Sequence, residues 1–242
     1  MTVLSDAASP DVPVGATVLL PLGAIEQHGP HLPVDTDVRI ATWLVDAAVT
    51  ADPSLVAAPA LPYGASGEHE GPPGTVSIGT EALTTVLVEW GRSACRWAAR
   101  VVVVNGHGGN LDALRRAVPQ LRDEGHDVAW FTPAIAGGDA HAGHVETSLL
   151  LHLAPHLVHH DRIAPGDTRP LTGLLDQLRR DGVPTVSPSG VLGDPTTATA
   201  PLGASLAQQL RGQLTDALAD AAVAPDGRLR CVPITLGAPV AP

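Results

Sequence analysis

The chain has 242 residues, 44% of them hydrophobic but only 2% aromatic, and a formal net charge of −11. That length suits one large α/β domain, residues 1–242, and so apolar a composition supports a core of Ala, Val and Leu and argues against disorder. The acidic balance argues against a nucleic-acid partner, which needs clustered basic groups; all 14 basic residues are Arg, which excludes a Schiff-base or phosphate-loop lysine in this sequence.

The opening MTVLSDAASPDVPVG has neither the basic nor the apolar region of a secretion signal, and no run approaches the roughly 18 apolar residues of a membrane helix. A soluble, cytoplasmic protein with no membrane partner is expected. Residues 16–22, ATVLLPL, read as a buried strand, and GAIEQHGPHLPVDTD follows as a loop. Asp35 or Thr36 can cap a helix near 37–50, where Val38, Ala41, Leu44, Val45 and Ala48 recur at helical spacing. A strand over 54–60 leads into a Gly/Pro-rich segment, 61–79, and a helix runs from Thr80 to about Ala99. RVVVVNGHGGN is a β-branched strand ending in a glycine-rich turn, with Asn110 placed to cap a helix over 111–124 or to meet substrate. A strand over 127–132, a loop and a helix near 145–154 complete the repeat. The later residues hold a short helix over 171–180 inside a Pro/Gly-rich stretch, 164–200, a helix over 201–223 and a strand over 229–235. Cys95 and Cys231 fall in different elements and read as small buried thiols, not as a disulfide framework.

Strand, loop and helix alternate at least three times, which predicts a parallel sheet covered by helices. Ligands in such sheets bind beyond the carboxyl ends of the strands. The acid–imidazole groups fall there: Glu26 to Asp37, then His107, then His141 to Glu146. Glu26 and His28 alternate along an extended segment, so both can face one site. Buried carboxylates need a partner or a cation, and mixed N/O ligation suits Zn²⁺, Fe²⁺ or Mn²⁺ better than Ca²⁺ or Mg²⁺. A carboxylate can bridge two ions about 3.5–4 Å apart in a hydrolytic site. Glu146 is a possible fifth ligand, and His141 could carry a proton to a leaving amine. Against this, Asp35 reads better as a cap, while His31, His69 and Glu70 lie in loops that could line the same cleft. His156, His159 and His160 read as a solvated helix end.

GAIEQHGPHLPVDTD, GEHEGPPGTVSIG, NGHGGN and HAGHVETS, in this order, resemble the creatininase family of metal-dependent amidohydrolases over residues 20–155. The resemblance implies a three-layer α/β/α sandwich with a mainly parallel sheet and two divalent ions per subunit. Glu26, Asp37 and His107 would ligate one ion; His28 and a bridging Asp37 would ligate the other, and His141 would be the catalytic histidine. Creatininase proper has a Glu two residues after the NGH histidine; this chain has Gly109, which makes creatinine a doubtful substrate and leaves Glu146 as the substitute ligand. YGASGEHEGPPGTVSIG, RSACRWA and DAHAGHVETSLLLHLAP are similar to a peptidase branch of the family. That similarity implies hydrolysis of a modified precursor peptide before a crosslinked C-terminal Val–Tyr unit, releasing a small cyclic redox-cofactor precursor, by a homo-oligomer of dimers assembled into a hexamer. The alternatives are hydrolysis of a small cyclic amide or formamide, and a metal-holding scaffold without turnover.

Overall fold

The computed structural model describes residues 2–236. Thr2–Val3 (β1), Thr17–Leu22 (β2), Leu55–Ala57 (β3), Arg100–Asn105 (β4) and Val128–Phe131 (β5) form a parallel sheet in the order β1-β3-β2-β4-β5. The helices are Thr36–Ala51 (α1), Gly79–Ala94 (α2), Leu111–Asp123 (α3), His144–Leu153 (α4), Leu171–Asp181 (α5), Val183–Val186 (α6) and Ala200–Asp220 (α7). A small parallel pair, Ile135–Ala136 (β6) and Ile234–Thr235 (β7), lies apart from the sheet.

Side chains alternate across the strands and so feed two cores. Leu19, Val102, Val104 and Phe131 pack with α1, α4 and α7. Val18, Leu20, Val101, Val103 and Trp130 pack with α2 and α3 on the other face. With helices on both faces no strand side meets water, which is why VVVV suits β4. The result is the helix-covered parallel sheet that the alternation predicted, in the three-layer α/β/α form that the family resemblance implied. The chain leaves β2 toward β3 and later returns to β4 on the opposite side, so the strand order reverses between β2 and β4. A crevice opens at the carboxyl ends of strands at such a point.

Several boundaries differ from the sequence expectation. Helix α2 ends at Ala94, not near Ala99, because Trp97 O already accepts from Gly15 N (2.7 Å) and Ala99 N donates to Ala16 O (3.1 Å), which commits the chain to β4. Strand β3 stops at Ala57, short of Pro59. The strand expected over 229–235 is reduced to Ile234–Thr235, since Pro233 has no N–H to pair. Helix α7 stops at Asp220, where Ala221 turns left-handed (φ 54°). Asp35 does not cap α1 with its side chain; its carboxylate accepts from Arg39 Nε (2.7 Å), while Thr36 Oγ1 donates to Pro33 O (2.7 Å). Both cysteines are free and half-buried, less enclosed than expected. No helix among the described residues is long and apolar enough to cross a membrane.

Candidate metal centre

Two glycines set the site. A Cβ on Gly23 would lie 2.6 Å from Val38 Cα, and one on Gly106 would lie 2.6 Å from the Asp37 carbonyl oxygen. Only glycine lets the ends of β2 and β4 touch the first turn of α1. Asp37 is thereby carried between His28 and His107. The NGHGGN turn is locked by amides: Asn105 Nδ2 donates to His107 O (2.7 Å), and Asn110 Nδ2 donates to Gly23 O and Asn105 Oδ1 (3.0 Å each). Asn110 therefore does not cap α3. A short 3₁₀ turn, Gly108–Asn110, precedes that helix, and the buried amide ties three loops instead, accepting from Ala65 N (2.9 Å).

On the far side, Ala142 adopts φ 51°, an uncommon conformation for a residue with a side chain. It turns the chain sharply between His141 and α4. Asp139 then receives the N–H groups of His144 and Val145 at the start of α4, and Glu146 Oε2 accepts from Ala142 N (2.6 Å).

Seven side chains from strand ends, loops and helix starts converge. His28 Nε2 lies 3.3 Å from Asp37 Oδ1 and 3.9 Å from Glu146 Oε2. His107 Nδ1 lies 3.3 Å from Asp37 Oδ2, and its Nε2 lies 3.1 Å from Glu26 Oε2. Glu26 Oε1 lies 3.4 Å from His69 Nε2 and 3.6 Å from His141 Nδ1. The tautomers follow from the outer bonds. His28 Nδ1 donates to Glu26 O (3.1 Å) and His107 Nε2 to Ala65 O (3.3 Å). Their other nitrogens face Asp37, one to each oxygen, and offer lone pairs there once the second proton is lost. His141 Nε2 donates to Gln27 O (2.7 Å), which leaves Nδ1 as its acceptor. The side chain of Gln27 also lies 3.2 Å from His141 Nε2; both atoms carry hydrogens there, so the shorter carbonyl contact is the bond. Gln27 Nε2 donates instead to His69 Nδ1 (2.9 Å) and Gly190 O (3.2 Å), so His69 directs Nε2–H at Glu26.

Charge is poised accordingly. Burial raises Glu26 to about 8, against the pull of His107. Burial opposes charge on His28, but Asp37 outweighs it and lifts the imidazole to about 10; for His107 the same opposition is overcome by Glu26 and Asp37, again to about 10. Asp37, although buried, is held far below the usual carboxylate range by His28 and His107. Burial lowers His69 to about 3 and His141 well below its usual value, and raises Glu146 to about 7.

Both oxygens of Glu26, Asp37 Oδ2 and His28 Nε2 are buried and lack any hydrogen-bond partner. Such groups are costly unless something positive joins them. That is the fit expected of a cation site: lone pairs brought within 4 Å of one another yet unbonded. Donor atoms close to within 4.8 Å in three groups among the described residues: Glu26–His28–Asp37, His28–His141–Glu146 and Glu26–His69–His141. His107 joins none of these groups despite its contacts with Glu26 and Asp37. Glu26 and His28 are fully buried, while Asp37, His107, His141 and Glu146 line a cleft of about 820 Å³.

His69 and Glu70 also line that cleft, whereas His31 does not; it is buried against α4, with Nε2 at 2.9 Å from Thr147 Oγ1. His156, His159 and His160 are exposed. Sequence reasoning passed over Gln27 and Glu68. Gln27 sits between two candidate ligands, and Glu68 lies 3.6 Å from His107 Nε2. Glu68 reaches there because residue 109 has no side chain: a Cβ on Gly109 would lie 2.6 Å from Glu68 Oε1 and 2.3 Å from the Ala65 carbonyl oxygen. The carboxylate next to NGH, absent from the motif, is supplied in space by the GEHE segment.

Comparison with known proteins agrees with this geometry. The family model "Creatininase: Creatinine amidohydrolase" matches residues 6–218. A "Mycofactocin precursor peptide peptidase" of Mycobacterium ulcerans is 53% identical over 221 residues, 88% of each chain. A mutant creatininase complexed with creatine superposes with a TM-score of 0.75 at 25% identity, over 90% of this chain and 98% of that one. A mutant creatininase of "Zn-Zn type" gives a TM-score of 0.71 at 27% identity, over 85% and 90%. The matched span exceeds half of the sequence, and the chain belongs to the creatininase family.

Proposed function

We propose that this chain is a metal-dependent peptidase that hydrolyses the amide before the crosslinked C-terminal Val–Tyr unit of a modified mycofactocin precursor peptide, releasing a small cyclic fragment. The precursor peptide is carried over from the 53% identical relative, and the Val–Tyr unit from the resemblance to the peptidase branch. The observation that carries the chemistry is Asp37, each of whose oxygens faces an imidazole nitrogen at 3.3 Å, the arrangement of a carboxylate shared between two ligand sets.

Two divalent ions fit: Glu26, Asp37 and His107 would hold one, and His28, Asp37 and Glu146 the other. Creatininase neighbours are described with zinc and with manganese, and Fe²⁺ suits the same N/O donors. When bound, such ions polarise a carbonyl and acidify water near neutral pH. The chain does the rest. Asp37 and Glu26, locked to the sheet, orient the reacting groups. His141 is neutral, with Nδ1 free; it accepts a proton from the attacking water and passes it to the leaving nitrogen. Gln27 holds its ring by the carbonyl bond. We read the chain as acting in one domain and, by the family likeness, as a cytoplasmic homo-oligomer; sedimentation velocity tests the assembly.

The family's name favours a second reading, a small cyclic amide or formamide as substrate. The space beside His107 speaks against it, since Gly109 and Glu68 remodel that side of the cleft. Incubating metal-loaded protein with the modified peptide, creatinine and a formylated pyrimidine, followed by mass spectrometry, separates the readings. Release of the cyclic fragment alone is expected. Turnover of only a small amide removes the peptidase reading.

A further inference from the structure

Across the cleft from the carboxylates stands α5. Its leucines recur as Leu171, Leu174, Leu175 and Leu178, a stripe along one side of the helix. One edge of the stripe is anchored: Leu174 and Leu178 are buried with Val183 and Leu192 in a small core of their own. The other edge is not. Leu171 is 42% exposed and Leu175 half-buried, and both line the cleft. Apart from Leu111 at the start of α3, the facing rim is largely polar, with Glu68, Glu70, Asp112 and Arg115. An apolar ligand group therefore has its main apolar wall in α5.

That wall is fixed to the proton carrier. Leu192 O accepts from Ala140 N (3.0 Å) and His141 N (3.2 Å), and Leu192 N donates to His141 O (2.9 Å). The apolar wall and His141 are thus joined through one backbone bridge.

On the peptidase reading, which this step requires, water adds its oxygen to the acyl carbon, the C–N bond breaks, and the nitrogen leaves as an amine after gaining a proton through His141. The amine belongs to the Val–Tyr unit. The unit must lie on the His141 side of the bond, where the leucines are. We infer that Leu171 and Leu175 form the subsite for the apolar C-terminal unit and select which peptides are cut. Binding of an apolar aromatic unit there covers the side chains that the free protein leaves to water.

The test is steady-state kinetics with metal-loaded protein, comparing wild type, Leu171→Ala/Leu175→Ala and Leu175→Met. Substrates are the modified precursor peptide and short peptides carrying either Val–Tyr or Asp–Ser after the scissile amide. The double variant is expected to raise KM for the modified peptide roughly tenfold or more, through KM more than kcat, with Leu175→Met close to wild type. Its preference for Val–Tyr over Asp–Ser should shrink in step. Metal content and circular dichroism confirm folding; if the double variant fails to fold, Leu171→Ser, at an exposed position, takes its place with the same expected direction. An unchanged KM and preference overturn the subsite while leaving the peptidase reading intact. A wild-type protein that leaves the modified peptide uncut at full metal occupancy overturns both.

Discussion

One wall of the cleft is made of strand ends and the first turn of α1, and each polar group on it is tied to the sheet. The facing wall is a helix, α5, held by Leu174, Leu178, Val183 and Leu192 and by the bridge from Leu192 to His141. The first wall is buried, charged and glycine-set, so Asp37 has no room to relax. The second is apolar, half-exposed and seated on a core separate from the two that flank the sheet. Reaction chemistry needs groups held within fractions of an ångström. Substrate choice needs shape and apolar area, which a lightly anchored helix can supply and alter. On the proposed reading, chemistry falls to the sheet and selection to α5, and each wall can be damaged without the other.

The largest effect belongs to the polar wall. Asp37→Asn keeps the shape but removes the charge that both imidazoles face. Turnover should fall by about 10³-fold or more, about 4 kcal/mol of barrier, and bound metal should fall with it while the fold persists. Kinetics together with elemental analysis check this. Wild-type turnover at full metal content would show that the chemistry resides elsewhere.

Acid should weaken the same wall next. His28 and His107 stand at about 10 in the metal-free chain, so both hold a proton at pH 7. Proton and ion compete for one lone pair. Each ion bound through an imidazole releases a proton, so affinity rises with pH up to about 10 and falls about tenfold per pH unit below it for each proton displaced. Competition with a chromophoric chelator at pH 6, 7 and 8 measures the slope. Glu26 and Glu146, raised to about 8 and about 7, add displaced protons over the same range; a flat profile would mean that all four ligands are already deprotonated.

The two walls were also unequally legible in the sequence. Glu26, His28, Asp37, His107 and His141 stood out because acids and imidazoles at strand ends have few structural excuses, and the parallel sheet followed from the period of the chain. Gln27 was passed over because extended backbone should turn it away; the chain bends at Gly29, φ 64°, and brings it back between His69 and His141. Glu68 was missed because its partner is the empty side of Gly109, a relation between segments distant in sequence. The α5 helix was seen, but nothing local says that a leucine stripe beginning 64 residues after His107 (171 − 107) faces the cleft beside the NGH turn. Periodicity reports which side of a helix is apolar and is silent on what covers it.

The apolar wall predicts a smaller, local loss. Leu174 is fully buried in the α5 core, and Leu174→Ala should cost about 2–3 kcal/mol. The cost should show as faster amide exchange across 171–186, with exchange in β2 and β4 unchanged. Equal losses in both regions would join the two walls into a single cooperative unit.

The finest test lies at the junction of α5 and α6. Gly182 has φ 78° and ψ 168°, a region that residues with side chains avoid. A Cβ there would also come within 3.1 Å of the Glu68 carbonyl oxygen, so Gly182→Ala strains a point where the α5–α6 segment rests on the GEHE loop. The cost is about 1–2 kcal/mol, or about a five- to thirtyfold change in a local opening equilibrium. If α5 and α6 open on their own, amide exchange in 171–186 should quicken by that factor while the guanidinium midpoint of the whole chain stays put. A midpoint that drops by the full amount would mean that the segment unfolds only with the sheet, and selection could then not change without disturbing the chemistry behind it.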